Sequence, residues 1–157
     1  MCVMKRMITI AAAVMLLVAA GACEKYEDGR PSKDVRTEFA RMYPGAWDVE
    51  WEPQGGYWKV SFETGSRPNG VDNEAWYQND GTWIRTSTDM LLAAVPQQIK
   101  DYLAASEYGS GQVEGNDVEY CQTPTGNFYR FDIRFGGREI EVDVTEDGEV
   151  TPADYGF

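Results

Sequence analysis

The chain has 157 residues, 43% of them hydrophobic, which suits a folded chain of one domain or two small ones. Residues 1–22 hold Lys5 and Arg6 and no acid, so the remainder carries 12 basic residues against 26 acidic ones, a poor footprint for nucleic acid or for electrostatic attachment to anionic lipid. Histidine is absent, which removes the commonest general base and the commonest metal ligand.

The first stretch reads as an address. Lys5 and Arg6 precede an apolar run, Met7–Ala20, of 14 residues, short for a membrane span and suited to a signal peptide. It ends in Ala20-Gly21-Ala22-Cys23, which resembles a bacterial lipobox with Ala20 where leucine is usual. The expectation is a signal peptide over 1–22 and lipidation at Cys23; the other reading is an ordinary secretory signal cut near Ala22. Several acyl chains on Cys23 give stable anchoring where one is marginal. Residues 23–32, which include EKYEDGRPS, have no apolar period and read as a tether.

The fold begins at Ser32, a good N-cap, with Asp34 in the first turn of a helix. Val35, Phe39, Met42 and Tyr43 share one helical face, and Pro44-Gly45 stops it. Trp47, Val49 and Trp51 alternate with acids as one strand, and Trp58, Val60 and Phe62 form the next. These alternations place Trp47, Trp51 and Trp58 in a core beneath the helix. Thr64–Asp72 reads as a loop, and Glu74–Tyr77 and Thr82–Thr86 as strands around the Asn79-Asp80-Gly81 turn. Met90–Ala94 reads as an apolar connector.

Pro96 suits the start of a second helix with the stripe Ile99, Tyr102 and Leu103, ended by Gly109-Ser110-Gly111. Strands follow around Val118–Tyr120, Phe128–Phe135 and Glu139–Val144, with Asp147-Gly148 turning into Glu149–Thr151. The order is a helix and four strands, twice, over 33–94 and 95–157. The expected fold is therefore α+β, a tandem repeat of a helix plus a four-stranded antiparallel sheet, with both helices on one sheet face. No sequence remains to cover the other face.

The residues YPGA, DVEW, GGYW and AWYQNDGTW, followed by VP at the second helix, resemble the PepSY-like, beta-lactamase-inhibitor-protein-like domain of Bacteroidetes secreted lipoproteins. The likeness spans about residues 33–151, and the second unit departs from it, with EYGSG where a second YPG is expected. It implies the tandem helix-and-sheet fold of the beta-lactamase inhibitor protein. No residue match transfers inhibition.

Nothing in the sequence calls for a cofactor or a metal. Asp80 and Asp147 sit in Asp-Gly turns without the ligand spacing of a calcium loop. Cys121 has no histidine or CxxC partner and reads as a free, partly exposed structural thiol. Carboxylate pairs such as Glu139 and Glu141 share a solvent face. Trp76 is out of phase with Ala75 and Tyr77 and points away from the helices, while Trp83 is ambiguous. The candidate binding face is Tyr57, Lys59, Trp76, Phe128, Arg130, Asp132 and Arg134. The expected function is a non-catalytic lipoprotein, anchored by its N-terminal lipid to the outer membrane of a Gram-negative envelope. It binds an unidentified protein or peptide on the open sheet face, as an inhibitor-like module. The alternatives are a glycan-binding or scaffold lipoprotein, and an enzyme with a carboxylate-only mechanism.

Overall fold

In the computed structural model, which describes residues 25–26 and 29–153, the first helix α1 spans Lys33–Met42. The leader and Cys23 lie outside the described residues. Ser32 caps α1: its Oγ accepts the Val35 N–H at 3.2 Å and donates to the Asn79 carbonyl at 3.0 Å. One side chain thus satisfies a helix-end donor and ties α1 to a hairpin turn. Four strands follow: β2 (Trp47–Gln54), β3 (Tyr57–Thr64), β4 (Val71–Gln78) and β5 (Trp83–Leu91). A single 3₁₀ turn, Leu92–Ala94, leads to α2 (Gln97–Ala105). The remaining strands are β6 (Gln112–Val113), β7 (Asp117–Thr123), β8 (Gly126–Phe135), β9 (Arg138–Thr145) and β10 (Val150–Pro152).

The ten strands of the described residues, counting Lys25–Tyr26 as β1, join one sheet in the order β1-β2-β3-β4-β5-β7-β8-β9-β10, with β6 beside the far half of β8. Every pairing is antiparallel except at the edge, where β1 (Lys25–Tyr26), in the stretch expected as a tether, runs parallel to Glu50 and Trp51 of β2. The two halves meet between β5 and β7, paired from Thr86↔Gln122 to Leu91↔Asp117.

Residues paired across strands point to one side. Ala75 pairs with Thr86, Thr88 with Tyr120, Tyr120 with Tyr129, and Tyr129 with Val144. Both helices pack on that side, each over its own core. Under α1, Val35 and Phe39 meet Trp51, Val60, Phe62 and Tyr77. Phe39 stands edge-on to Trp51 at 5.2 Å and to Phe62 at 5.0 Å, contacts that each add about 0.5–1.5 kcal/mol beyond area burial. Under α2, Ile99 and Leu103 meet Val118, Phe131, Ile133 and Val142.

Four expectations need correction. Trp47 does not join the core beneath α1. The β2–β3 register slips between Trp47 and Glu50, and Asp48 takes a left-handed φ of 50°. This bulge inserts an extra residue, so Trp47 pairs with Glu63 and turns to the helix-free face while Val49 stays inside. Second, β5 runs on to Leu91 through part of the supposed connector, because Met90 packs against the second core. Third, β4 starts at Val71, inside the expected loop, with Val71 paired to Thr64. Fourth, α2 stops at Ala105, short of Gly109. The Ser106 hydroxyl donates to the Leu103 carbonyl at 2.7 Å and accepts the Tyr108 N–H at 3.1 Å, competing with continued helix.

Candidate interaction face

The sheet face away from the helices is built from the alternate residues of the same strands. One row crosses Glu52, Lys59, Trp76 and Arg85. The next crosses Glu50, Ser61, Glu74, Ser87, Cys121 and Phe128. A third carries Asp89, Glu119, Arg130 and Asp143, continued on the first half by Asp72 and Glu63.

The register places all seven candidate residues on this face. Tyr57, Lys59 and Trp76 lie at one end of the first half. Phe128, Arg130, Asp132 and Arg134 alternate along β8 in the second half. They differ sharply in exposure. Trp76 and Arg130 are only 8% and 5% exposed, whereas Asp132 and Arg134 are open to solvent.

The buried members are held by neighbours on the sheet. The Arg85 guanidinium lies over the Trp76 ring at 4.2 Å. Arg130 forms a two-pronged pair with Asp143, at 2.7 and 2.9 Å, and reaches Glu141 at 3.6 Å. It also lies 5.5 Å from the Phe128 ring. Arg67 covers a further aromatic on this face, Trp47, at 4.8 Å. Lys59 binds Glu52 at 3.1 Å and Glu74 at 3.3 Å. Arg134 is held by Glu114 at 2.7 Å and Glu139 at 2.9 Å.

Between these pairs the face is acidic. A shallow groove of about 400 Å³ crosses the first half, its floor at Ser61 and Ser87 and its flanks at Glu50, Glu74 and Asp89. A smaller hollow of about 170 Å³ adjoins it and shares Asp89 and Glu119 with it. Burial raises the Asp89 carboxyl above its ordinary value, and repulsion from Asp72, Glu74 and Asp117 raises it further. Burial also raises Glu119, with Arg130 and Arg85 pulling against it. Glu141 is raised by burial despite Arg130.

Cys121 is free, as expected, but fully buried rather than partly exposed. Burial, reinforced by Glu119, pushes its thiol up to about 12, which removes the reactive thiolate at neutral pH. Among the described residues no three carboxylates or thiols converge in a metal-binding arrangement. Glu50, Ser61, Glu74, Asp89, Glu119 and Asp143 are among the face residues that sequence reasoning passed over. The available signal was the alternation Arg85, Ser87, Asp89, which continues past the point where the strand was expected to end.

No family model matches the chain, and no curated protein does. Solved structures of the same fold do exist. A BLIP-like protein from Bacteroides fragilis is 20% identical, with 81% of this chain and 88% of that chain covered and a TM-score of 0.67. A DUF2874 family protein from Bacteroides uniformis is 24% identical, covering 82% of this chain and 94% of its own, with a TM-score of 0.65. A Bacteroides eggerthii protein, described as a candidate periplasmic protein, is 26% identical over 78% of this chain and 86% of its own, with a TM-score of 0.63. The chain therefore has an α+β, BLIP-like fold: two helices on one face of a largely antiparallel sheet.

Proposed function

We propose that this protein is a non-catalytic lipoprotein of a Gram-negative cell envelope that docks a protein or peptide partner on its helix-free sheet face, as an inhibitor-like module. The observation that carries this reading is the asymmetry of the sheet. Both helices lie on one side, and the other side presents a grooved, charged surface that no described element covers. Fold alone does not assign function, so the reading rests on that surface.

The address rests on the leader and Cys23 and agrees with the periplasmic description of one structural neighbour. Outer-membrane anchoring through lipid on Cys23 is part of the proposal. So are PepSY-like membership, supported by the YPGA and AWYQNDGTW motifs, and descent from a duplicated unit, supported by a helix followed by four antiparallel strands in each half, with the two-residue β6 added in the second. The glycan-binding alternative lacks a comparable observation. Sugar stacking needs open aromatic faces, whereas three of the four aromatics on this face, Trp47, Trp76 and Phe128, each have a guanidinium within reach of the ring.

Ser61, on the groove floor, is the place to test the reading. Ser61→Trp fills the groove. It is expected to leave the circular dichroism spectrum unchanged and to abolish co-purification of a discrete envelope protein. Lys100→Trp, on α2, is expected to retain it. Equal retention in both variants removes the sheet face from consideration.

A further inference from the structure

The charge on this face says more about the occupant than the shape does. Seven carboxylates line the larger groove and five the smaller, with Asp89 and Glu119 common to both. The larger has no cation in its lining, and the smaller has Arg130 alone. That cation is already bound by Asp143 and the nearby Lys59 by Glu52 and Glu74, while Arg85, over Trp76, offsets only part of the charge on Glu119 and Glu141. The negative charge therefore exceeds what the fold itself neutralises.

The carboxylates are arranged in a line and do not converge on a point. Glu63, Asp72, Asp89 and Glu119 fall on β3, β4, β5 and β7 in turn, at successive positions across the sheet. Neighbouring strands stand about 4.8 Å apart, so this row extends over roughly 14 Å. A single metal ion cannot use such a row, and an anionic glycan or nucleic acid is repelled by it.

We propose that the occupant is a Lys/Arg-rich extended segment of a partner protein, laid across the strands over Asp72, Asp89 and Glu119. This rests on the sheet-face reading above and narrows it to one chemistry. Complementary charge steers such a partner and selects against others more than it raises affinity. Burial and mutual repulsion hold Asp89 and Glu119 above their ordinary values, and the repulsion is offset when ammonium or guanidinium groups arrive.

The test uses the full chain in mild detergent, with fluorescence anisotropy of a fluorescein-labelled octalysine peptide. The D89N/E119Q variant is expected to weaken binding about tenfold. D101N/E107Q, which removes equal charge from the helix side, is expected to change it less than about twofold. Raising the salt should weaken binding in the parent chain and much less in D89N/E119Q. Absence of peptide binding, or equal loss in both double variants, overturns the proposal, the latter because it reveals only attraction to the net charge. Spermine binding as tightly as the peptide overturns the polypeptide identity. The two readings fail separately. If octalysine fails while Ser61→Trp still abolishes co-purification, the basic segment is lost and the docking face stands; if both fail, neither stands.

Discussion

Arg130 is held as part of the framework, and replacing it tests that assignment. The side chain is 5% exposed and its partner Asp143 is 15% exposed, with two hydrogen bonds between them at 2.7 and 2.9 Å. Arg130→Met keeps most of the volume and removes the charge. It leaves Asp143 without its two-pronged partner and removes a cation that screens Glu141 and Glu119. Breaking a buried pair from one side costs about 3–5 kcal/mol, because the remaining charge stays desolvated. At roughly 2–4 °C per kcal/mol for a chain of this size, the lower end of that range lowers Tm by about 6–12 °C. Replacing both members, as in R130M/D143L, removes the orphaned charge and is expected to recover most of the loss. Urea unfolding followed by tryptophan fluorescence reads all three variants. A cost below about 0.5 kcal/mol for Arg130→Met refutes the framework assignment.

Three further predictions follow from the same geometry. Asp89, Glu119 and Glu141 have raised folded-state pKa values, so the folded chain holds their protons more tightly than the unfolded chain. Stability should therefore fall as pH rises from about 4 through the raised values, and D89N/E119Q should flatten this slope in urea titrations at several pH values. Cys121, with its thiol pushed up to about 12, should resist iodoacetamide in the folded chain and react on unfolding; peptide mapping that finds it modified under native conditions contradicts its burial. Ser32→Ala loses both the Val35 cap and the tie to Asn79, and should cost about 1–2 kcal/mol by urea unfolding, against a few tenths for Thr37→Ala on the exposed side of α1.

The elements with strong local chemistry were legible. Ser32, the Val35/Phe39 stripe and Pro44-Gly45 bound α1 without tertiary information. Period-two alternation sorted Tyr57, Lys59, Phe128 and Arg130 onto one face, because parity along a strand survives until a bulge intervenes. Trp47 shows the limit. The turn of Asp48 into left-handed backbone shifts the register by one, and nothing in WDVEW announces it. The end of β5 was hidden because Met90 and Leu91 read as an undifferentiated apolar run, whereas their pairing to Val118 and Asp117 depends on a strand far along the chain. Burial on the helix-free face was equally hidden. Trp76 and Arg130 are covered through Arg85 and Asp143, partners set by cross-strand register and absent from their own neighbourhoods in sequence.

The central claim is that the helix-free face, and not the helical side, meets a partner. The most direct measurement is photo-crosslinking in intact host cells, with benzoylphenylalanine placed at Ser61 on the groove floor or at Lys100 on α2. The account predicts one dominant protein adduct from Ser61 that is missing from Lys100. The same adduct from both positions, or label from Ser61 recovered on polysaccharide, contradicts it.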